Sequence, residues 1–211
     1  MRHQLKLLLV DFDGVMSNGR FYNAEDEEQA KMGVQAVQHI FAPGNSELLN
    51  DWMRGKLSYQ SLHDLVEKKA GLSARQLDAL LEESVKRMSL NQALLRYIGQ
   101  LRSNGVVVSL FTNNMDVFDK VSRAHHKLDT YFDHIYSSSE QGQLKLEDDT
   151  LLLRVIQDAG TGIAHTAFVD DSTSSYEAAT SYGVATCLYK DYTYSQKLFE
   201  AWLHKQFIIH S

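Results

Sequence analysis

Four short segments carry side chains that could do chemistry together. Asp11 and Asp13 stand two residues apart in LLLVDFDG, Thr112, Asn113 and Asn114 follow the apolar run 106–111, and Asp170 and Asp171 follow the run 166–169. Lys145 lies between the last two, ahead of an amphipathic stretch. Carboxylates crowded together repel unless a cation binds or protons are taken up. Hard oxygen ligands select Mg²⁺. One cysteine, and no histidine pair at ligand spacing, argue against zinc. A lysine, a hydroxyl and free amides beside such an ion suit a phosphate group. A carboxylate can attack phosphorus and form an aspartyl phosphate. Taken alone, Asp13-Gly14 is equally an ordinary turn dipeptide; the three further polar clusters, each after an apolar run or in a neighbouring loop, tip the reading toward a site.

These residues need strands that end at one edge. The run 5–10 is too short to cross a membrane and reads as a strand buried on both faces. Residues 106–111, 132–137, 166–169 and 184–188 read as further strands, with helices between them at 90–104, after Asn114, at 147–159 and at 172–183, and a last helix at 194–207. Alternating strands and helices predict an α/β fold, a doubly wound parallel sheet with right-handed crossovers. Open parallel sheets bind ligands at the carboxyl ends of their strands, where all four clusters fall. No strand pattern interrupts residues 22–88. Leu48, Leu49, Trp52 and Met53 recur at helical spacing, Ser58 and Ser73 precede further apolar-periodic runs, and Gly71 closes one of them. The expectation is an all-helical cap over 17–88 inserted in a core of 1–16 and 89–211.

The chain has 211 residues, 44% of them hydrophobic and 23% charged, with a net charge of −6, which suits a globular protein. No basic block offers a nucleic-acid footprint, and no apolar run has the roughly 20 residues of a membrane helix. No signal peptide is visible, and a lone Cys187 suits a reducing cytoplasm. Cys187 reads as a small core residue, and a monomer or a dimer is expected.

DFDGV, LFTNN, the Lys145 segment and FVDDS, in this order around a helical insert, resemble the four motifs of the haloacid dehalogenase superfamily, and the similarity spans essentially the whole chain. FVDDS, with the following EAA, G and YKDYT, is most similar to its sugar-phosphate phosphatase branch, which includes α-glucose-1-phosphate phosphatase and the amino-terminal domain of epoxide hydrolases. The resemblance implies a Rossmann-like core and a Mg²⁺-dependent phosphatase for a small phosphorylated metabolite, a sugar phosphate by that branch. Asp11 would be the nucleophile and a Mg²⁺ ligand, and Asp13 the general acid and base, with its backbone carbonyl on the metal. Thr112 and the amide of Asn113 would bind the phosphoryl group, Lys145 would neutralise charge, Asp171 would ligate the metal directly, and Asp170 would act partly through water. The family usually places proline after this lysine; here it is Leu146, which leaves the Lys145 loop less stiffened.

Asn18 and Arg20, where the cap begins, are candidate substrate contacts, whereas Arg54 and Lys56 around Gly55 read as helix-terminal charges. Lys127 reads as a solvated helical charge, His125 and His126 as surface residues, and His39, His63 and His165 as structural. Tyr192 and Tyr194 read as packing for the last helix. Two other functions fit the same residues: a phosphomutase, and a non-catalytic phosphoacceptor or binding protein. A receiver-type phosphoacceptor would carry its aspartate on a later strand and no cap.

Overall fold

The computed structural model describes residues 2–190 and 195–209. Five strands, β1 (Leu7–Val10), β2 (Val107–Thr112), β3 (His134–Ser137), β4 (Thr166–Asp170) and β5 (Ala185–Leu188), form a parallel sheet in the order β3-β2-β1-β4-β5. All four β1 residues are completely buried because helices cover both faces. Leu8 and Val10 enter the larger core cluster and Leu7 and Leu9 the other, the alternation a strand imposes. The chain builds outward from β1 to β3 and then returns to β4 on the other side. The crevice at the β1/β4 switch is where such sheets hold ligands.

Between β1 and β2 lie α1 (Glu27–Ile40), α2 (Ser46–Met53), α3 (Tyr59–Ala70), α4 (Ala74–Lys86) and then α5 (Gln92–Ser103). No strand of the main sheet falls among α1 to α4. The path into and out of this helical insert is a two-residue antiparallel ribbon, Ser17–Asn18 against Ser89–Leu90. Local chemistry sets the helix ends. The Ser58 side chain accepts from Ser61 N–H, Gly71 adopts the left-handed conformation after α3, and Ser73 with Gln76 forms a reciprocal capping box on α4.

The insert is pinned to the sheet layer by a buried carboxylate. Asp116 Oδ1 accepts from the Trp52 indole N–H at 2.7 Å and from Tyr59 N–H at 3.0 Å, while Oδ2 takes Lys120 Nζ at 2.7 Å. Trp52 therefore does more than fill the insert core: its one polar side-chain atom reaches the start of the helical segment that follows β2. Inside the insert, buried His63 sits between Tyr22 and Asp78, with 2.7 Å from Nε2 to Tyr22 Oη and 2.6 Å from Nδ1 to Asp78 Oδ1. Burial pushes His63 below its ordinary pKa despite the pull of Asp78, so the ring is neutral. Nδ1–H then donates to Asp78, and Nε2 accepts from the Tyr22 hydroxyl. A depressed histidine contributes stability above its unfolded value of about 6.5 that is lost as pH falls toward the folded value. Melting curves from pH 7.5 to 5.5 are expected to show His63→Gln losing less stability on acidification than the wild type; parallel losses would contradict this.

Several expectations need correction. The helix expected over 147–159 is α6 (Thr150–Asp158), starting late because Asp148 Oδ1 takes the Thr150 N–H at 2.8 Å and Leu144 to Glu147 form a turn. The helix expected after Asn114 is present over 116–125, but its middle, Phe118–Ser122, is a π-helical turn rather than regular α-helix. Lys127 is exposed as expected but not helical; it has a left-handed φ of 54° in a turn. His39 is exposed on α1, and His126, half-buried, lies 3.0 Å from the Val85 carbonyl of α4. Cys187 is half-buried, and burial pushes its thiol up to about 11. The helices α7 (Thr173–Ser181) and α8 (Ser195–Gln206) complete the fold. Tyr192, Tyr194 and part of the YKDYT run lie outside the described residues. Among the described residues no helix is long and apolar enough to cross a membrane.

Candidate active site

Register brings the clusters together. Val10 is level with Leu110 of β2 and Val169 of β4, so Asp11, Thr112 and Asp170 leave the sheet at one edge. Asp11 N–H bonds the Val169 carbonyl at 3.0 Å, extending β1 by one residue. The chain then coils tightly: Met16 and Ser17 N–H bond the Phe12 carbonyl at 2.9 and 2.8 Å, and Gly14 N–H bonds the Ser17 carbonyl at 2.9 Å. Gly14 has a φ of +78°, and a Cβ there would run into the Asp171 carboxylate. Both the backbone conformation and the approach of Asp171 therefore require glycine.

Lys145 is the electrostatic centre. It is buried, with Nζ 2.8 Å from Asp11 Oδ1 and 2.5 Å from Asp170 Oδ2, and it lies 5.5 Å above the Phe168 ring. Burial alone would lower its pKa, but the two carboxylates outweigh that and raise it, so the ammonium is retained. The absence of proline at 146 does not leave Lys145 loose. Its N–H donates to Asn113 Oδ1 at 2.7 Å, and the Glu147 N–H bonds the Leu144 carbonyl at 3.3 Å to close the turn. Leu146 packs against the second core cluster.

The two acids of the first cluster have different surroundings. Burial raises Asp11 to about 6, with Lys145 pulling it down and Asp170 pushing it up. Burial first and then the charge of Asp11 raise Asp13 to about 7. Asp13 faces Asn114, whose Nδ2 donates to Oδ2 at 2.9 Å. Asn114 is itself fixed: its N–H donates to Ser138 Oγ at 2.9 Å, and the Ser138 hydroxyl donates to its carbonyl at 3.1 Å. Sequence reasoning missed these roles of Asn114 and Ser138. Asn114 was visible only as the third member of a polar cluster, and nothing in the spacing marked Ser138.

One oxygen each from Asp11, Asp170 and Asp171 lie within 4.8 Å of one another, an all-carboxylate set suited to a hard divalent cation. Burial and then Asp170 raise Asp171, the state expected of acids that a cation would relieve. The Asp13 carboxylate is not part of this cluster. Asp170 is also committed elsewhere, taking Lys145 on one oxygen and the Ser172 N–H on the other at 2.8 Å. The Thr112 hydroxyl is buried with no hydrogen-bond partner of normal geometry, which leaves a donor for an incoming oxygen. Asn18 and Arg20 are not gathered into this cluster. Both are exposed; the Asn18 carbonyl accepts from Ser89 Oγ at 3.3 Å, and Arg20 borders a cavity of about 510 Å³ on the insert. Lys56 pairs with Asp51 at 2.8 Å, as a helix-terminal charge, whereas Arg54 reaches across to Glu147.

The fold is shared with known proteins. A HAD family enzyme from Bacteroides thetaiotaomicron, in complex with magnesium and inorganic phosphate, superposes with a TM-score of 0.73 at 24% identity, over 92% of this chain and 99% of that one. A predicted HAD-like family hydrolase from Porphyromonas gingivalis gives 0.72 at 18% identity over 94% and 97%. The Aspergillus oryzae sesquiterpene phosphatase AstK is 26% identical over 141 residues, 66% of this chain and 71% of its own. Residues 5–183 match the haloacid dehalogenase-like hydrolase family across all four clusters, and the chain belongs to that family.

Proposed function

We propose that the protein is a Mg²⁺-dependent phosphatase that hydrolyses a small phosphomonoester through an aspartyl-phosphate intermediate. The observation that carries this reading is the buried Asp11 carboxylate at the end of β1, held by Lys145, next to an Asp13 that is held separately by Asn114. An Asp11 oxygen attacks phosphorus as the bond to the leaving oxygen breaks, and the Asp13 carboxyl gives that oxygen its proton. Asp13 then takes a proton from the water that cleaves the acyl phosphate, which regenerates Asp11 and releases phosphate. The Thr112 hydroxyl and the Asn113 amide donate to phosphoryl oxygens, and Lys145 offsets their charge. Asp11, Asp171 and the Asp13 carbonyl would hold Mg²⁺, with Asp170 acting partly through water; the ion supplies positive charge that lets an anionic phosphoryl group approach carboxylates. The phosphatase name of the fungal relative and the magnesium and phosphate of the Bacteroides complex support this reading.

The insert, read as a cap over 17–88 on a core of 1–16 and 89–211, limits the substrate to a compact molecule and shields the acyl phosphate. Likeness to the sugar-phosphate branch favours a sugar phosphate. A phosphorylated apolar alcohol is favoured instead by the name of the fungal relative, a sesquiterpene phosphatase. Phosphate release from p-nitrophenyl phosphate, glucose 1-phosphate and farnesyl phosphate, each with Mg²⁺ and with excess chelator, tests the reading and separates the two substrate classes. Turnover confined to Mg²⁺ is expected. Undiminished turnover in chelator, or isomerised substrate without free phosphate, would overturn the assignment.

A further inference from the structure

The turn that carries Lys145 is clasped from the helical insert. Arg54, directly after α2, places Nη2 2.6 Å from Glu147 Oε1 and Nε 3.2 Å from Oε2, a two-pronged contact between residues 93 positions apart. The same Glu147 carboxylate accepts the Leu144 N–H at 3.4 Å. One side chain thus grips both ends of the matter: the first residue of the Lys145 turn and the arginine of the insert. The next residue, Gly55, has a φ of +68°, and a Cβ on it would strike the Ser139 carbonyl, so the loop approaches the sheet edge this closely only as glycine.

The pair is partly exposed, 20% for Arg54 and 43% for Glu147. Exposed ion pairs add little to stability, whereas a bidentate arginine–carboxylate contact fixes geometry. Its consequence is therefore placement of the turn. We propose that Arg54 and Glu147 are positioning residues for Lys145: docking of the insert, transmitted through Glu147, completes the turn that aims Nζ at Asp11. Lys145 Nζ is then held from the core side by Asp11 and Asp170, and the preceding residue, Leu144, from the insert side by the clasp. The catalytic part of this inference rests on the phosphatase reading above; the placement of the lysine does not.

Two readouts test it. The first is the rate at which acetic anhydride modifies the Lys145 amine, followed by mass spectrometry with Mg²⁺ absent. Arg54→Ala is expected to raise that rate at least several-fold over the wild type. Asp116→Asn, which weakens the other anchor of the same loop without touching residues 144–147, should raise it far less. The second readout is hydrolysis of p-nitrophenyl phosphate. Arg54→Ala and Glu147→Gln should each lower kcat about 10-fold with KM changed less than about 2-fold, the cost of a misplaced group. The double variant should be no slower than either single one, and Arg54→Lys should recover part of the rate. Unchanged Lys145 reactivity in Arg54→Ala, equal reactivity in Asp116→Asn, or additive losses in the double variant would overturn the proposal. An inactive wild type would count against the phosphatase reading alone, because the amine reactivity would still decide the placement.

Discussion

Asp11→Asn is expected to eliminate turnover of every phosphomonoester while leaving the fold in place. The substitution is nearly isosteric and sits at a strand end whose backbone bond to Val169 does not involve the side chain. It replaces the carboxylate, the one nucleophile of the proposed route to the acyl phosphate, with a weakly nucleophilic carboxamide, and nucleophile deletions in covalent enzymes cost on the order of 10⁶-fold. Stability should not suffer as activity does. A carboxyl raised to about 6 from 3.8 contributes its full stability only below the unfolded value and loses it as pH rises through the folded one. At pH 8 the metal-free wild type keeps a buried carboxylate that repels Asp170, and the asparagine variant does not. Melting of the metal-free proteins should therefore favour the variant more at pH 8 than at pH 4. Quench-flow with ³²P-labelled substrate should give no labelled protein from the variant. Retention of more than about 1% of wild-type turnover would remove Asp11 from the role.

Much of the sheet was legible because its signals are local. The leucines of β1 alternate between two core clusters, so a strand buried on both faces had to read as an unbroken apolar run. Ser58, Gly71 and Ser73 are capping residues whose side chains or φ values act within three or four residues, and they mark both ends of α3 and the start of α4. What stayed hidden depends on partners far away in sequence. Asn114 and Asp13 are 101 residues apart, and Trp52 and Asp116 are 64 apart. Periodicity says which face of a helix is buried, not which polar atom it carries to a neighbour. The Leu146 substitution illustrates the same limit. Without proline the loop reads as looser, yet Asn113 supplies a hydrogen bond to the Lys145 backbone that no local rule announces. Arg54 and Lys56 read as one pair of helix-end charges. Lys56 is that, bound to Asp51 five residues back, but Arg54 meets its partner only through the fold.

Asp13→Asn is expected to separate the two carboxylates by leaving group. An acid for the departing oxygen must hold a proton near neutral pH, and burial together with the charge of Asp11 brings Asp13 to about 7. Asn114 opposes that shift by donating to the ionised form, which also holds the carboxylate ready to receive a proton in the second half-reaction. The variant keeps Asp11 and Lys145, so attack on phosphorus survives. Its loss should track the basicity of the leaving oxygen. Alkoxides such as those of sugars or prenyl alcohols need protonation and should lose about 10²–10⁴-fold, the usual worth of a general acid. p-Nitrophenolate departs with little help and should lose much less in the first step. Hydrolysis of the acyl phosphate also loses its base, so with the aryl substrate the second step becomes limiting and labelled protein should accumulate. Rapid quench followed by peptide mapping should place that label on Asp11, with a burst of p-nitrophenolate equal to one per site ahead of a slow steady state. Equal losses on alkyl and aryl substrates, without a burst and without label on Asp11, would show that Asp13 acts on neither proton and that the division of labour between the two aspartates is wrong.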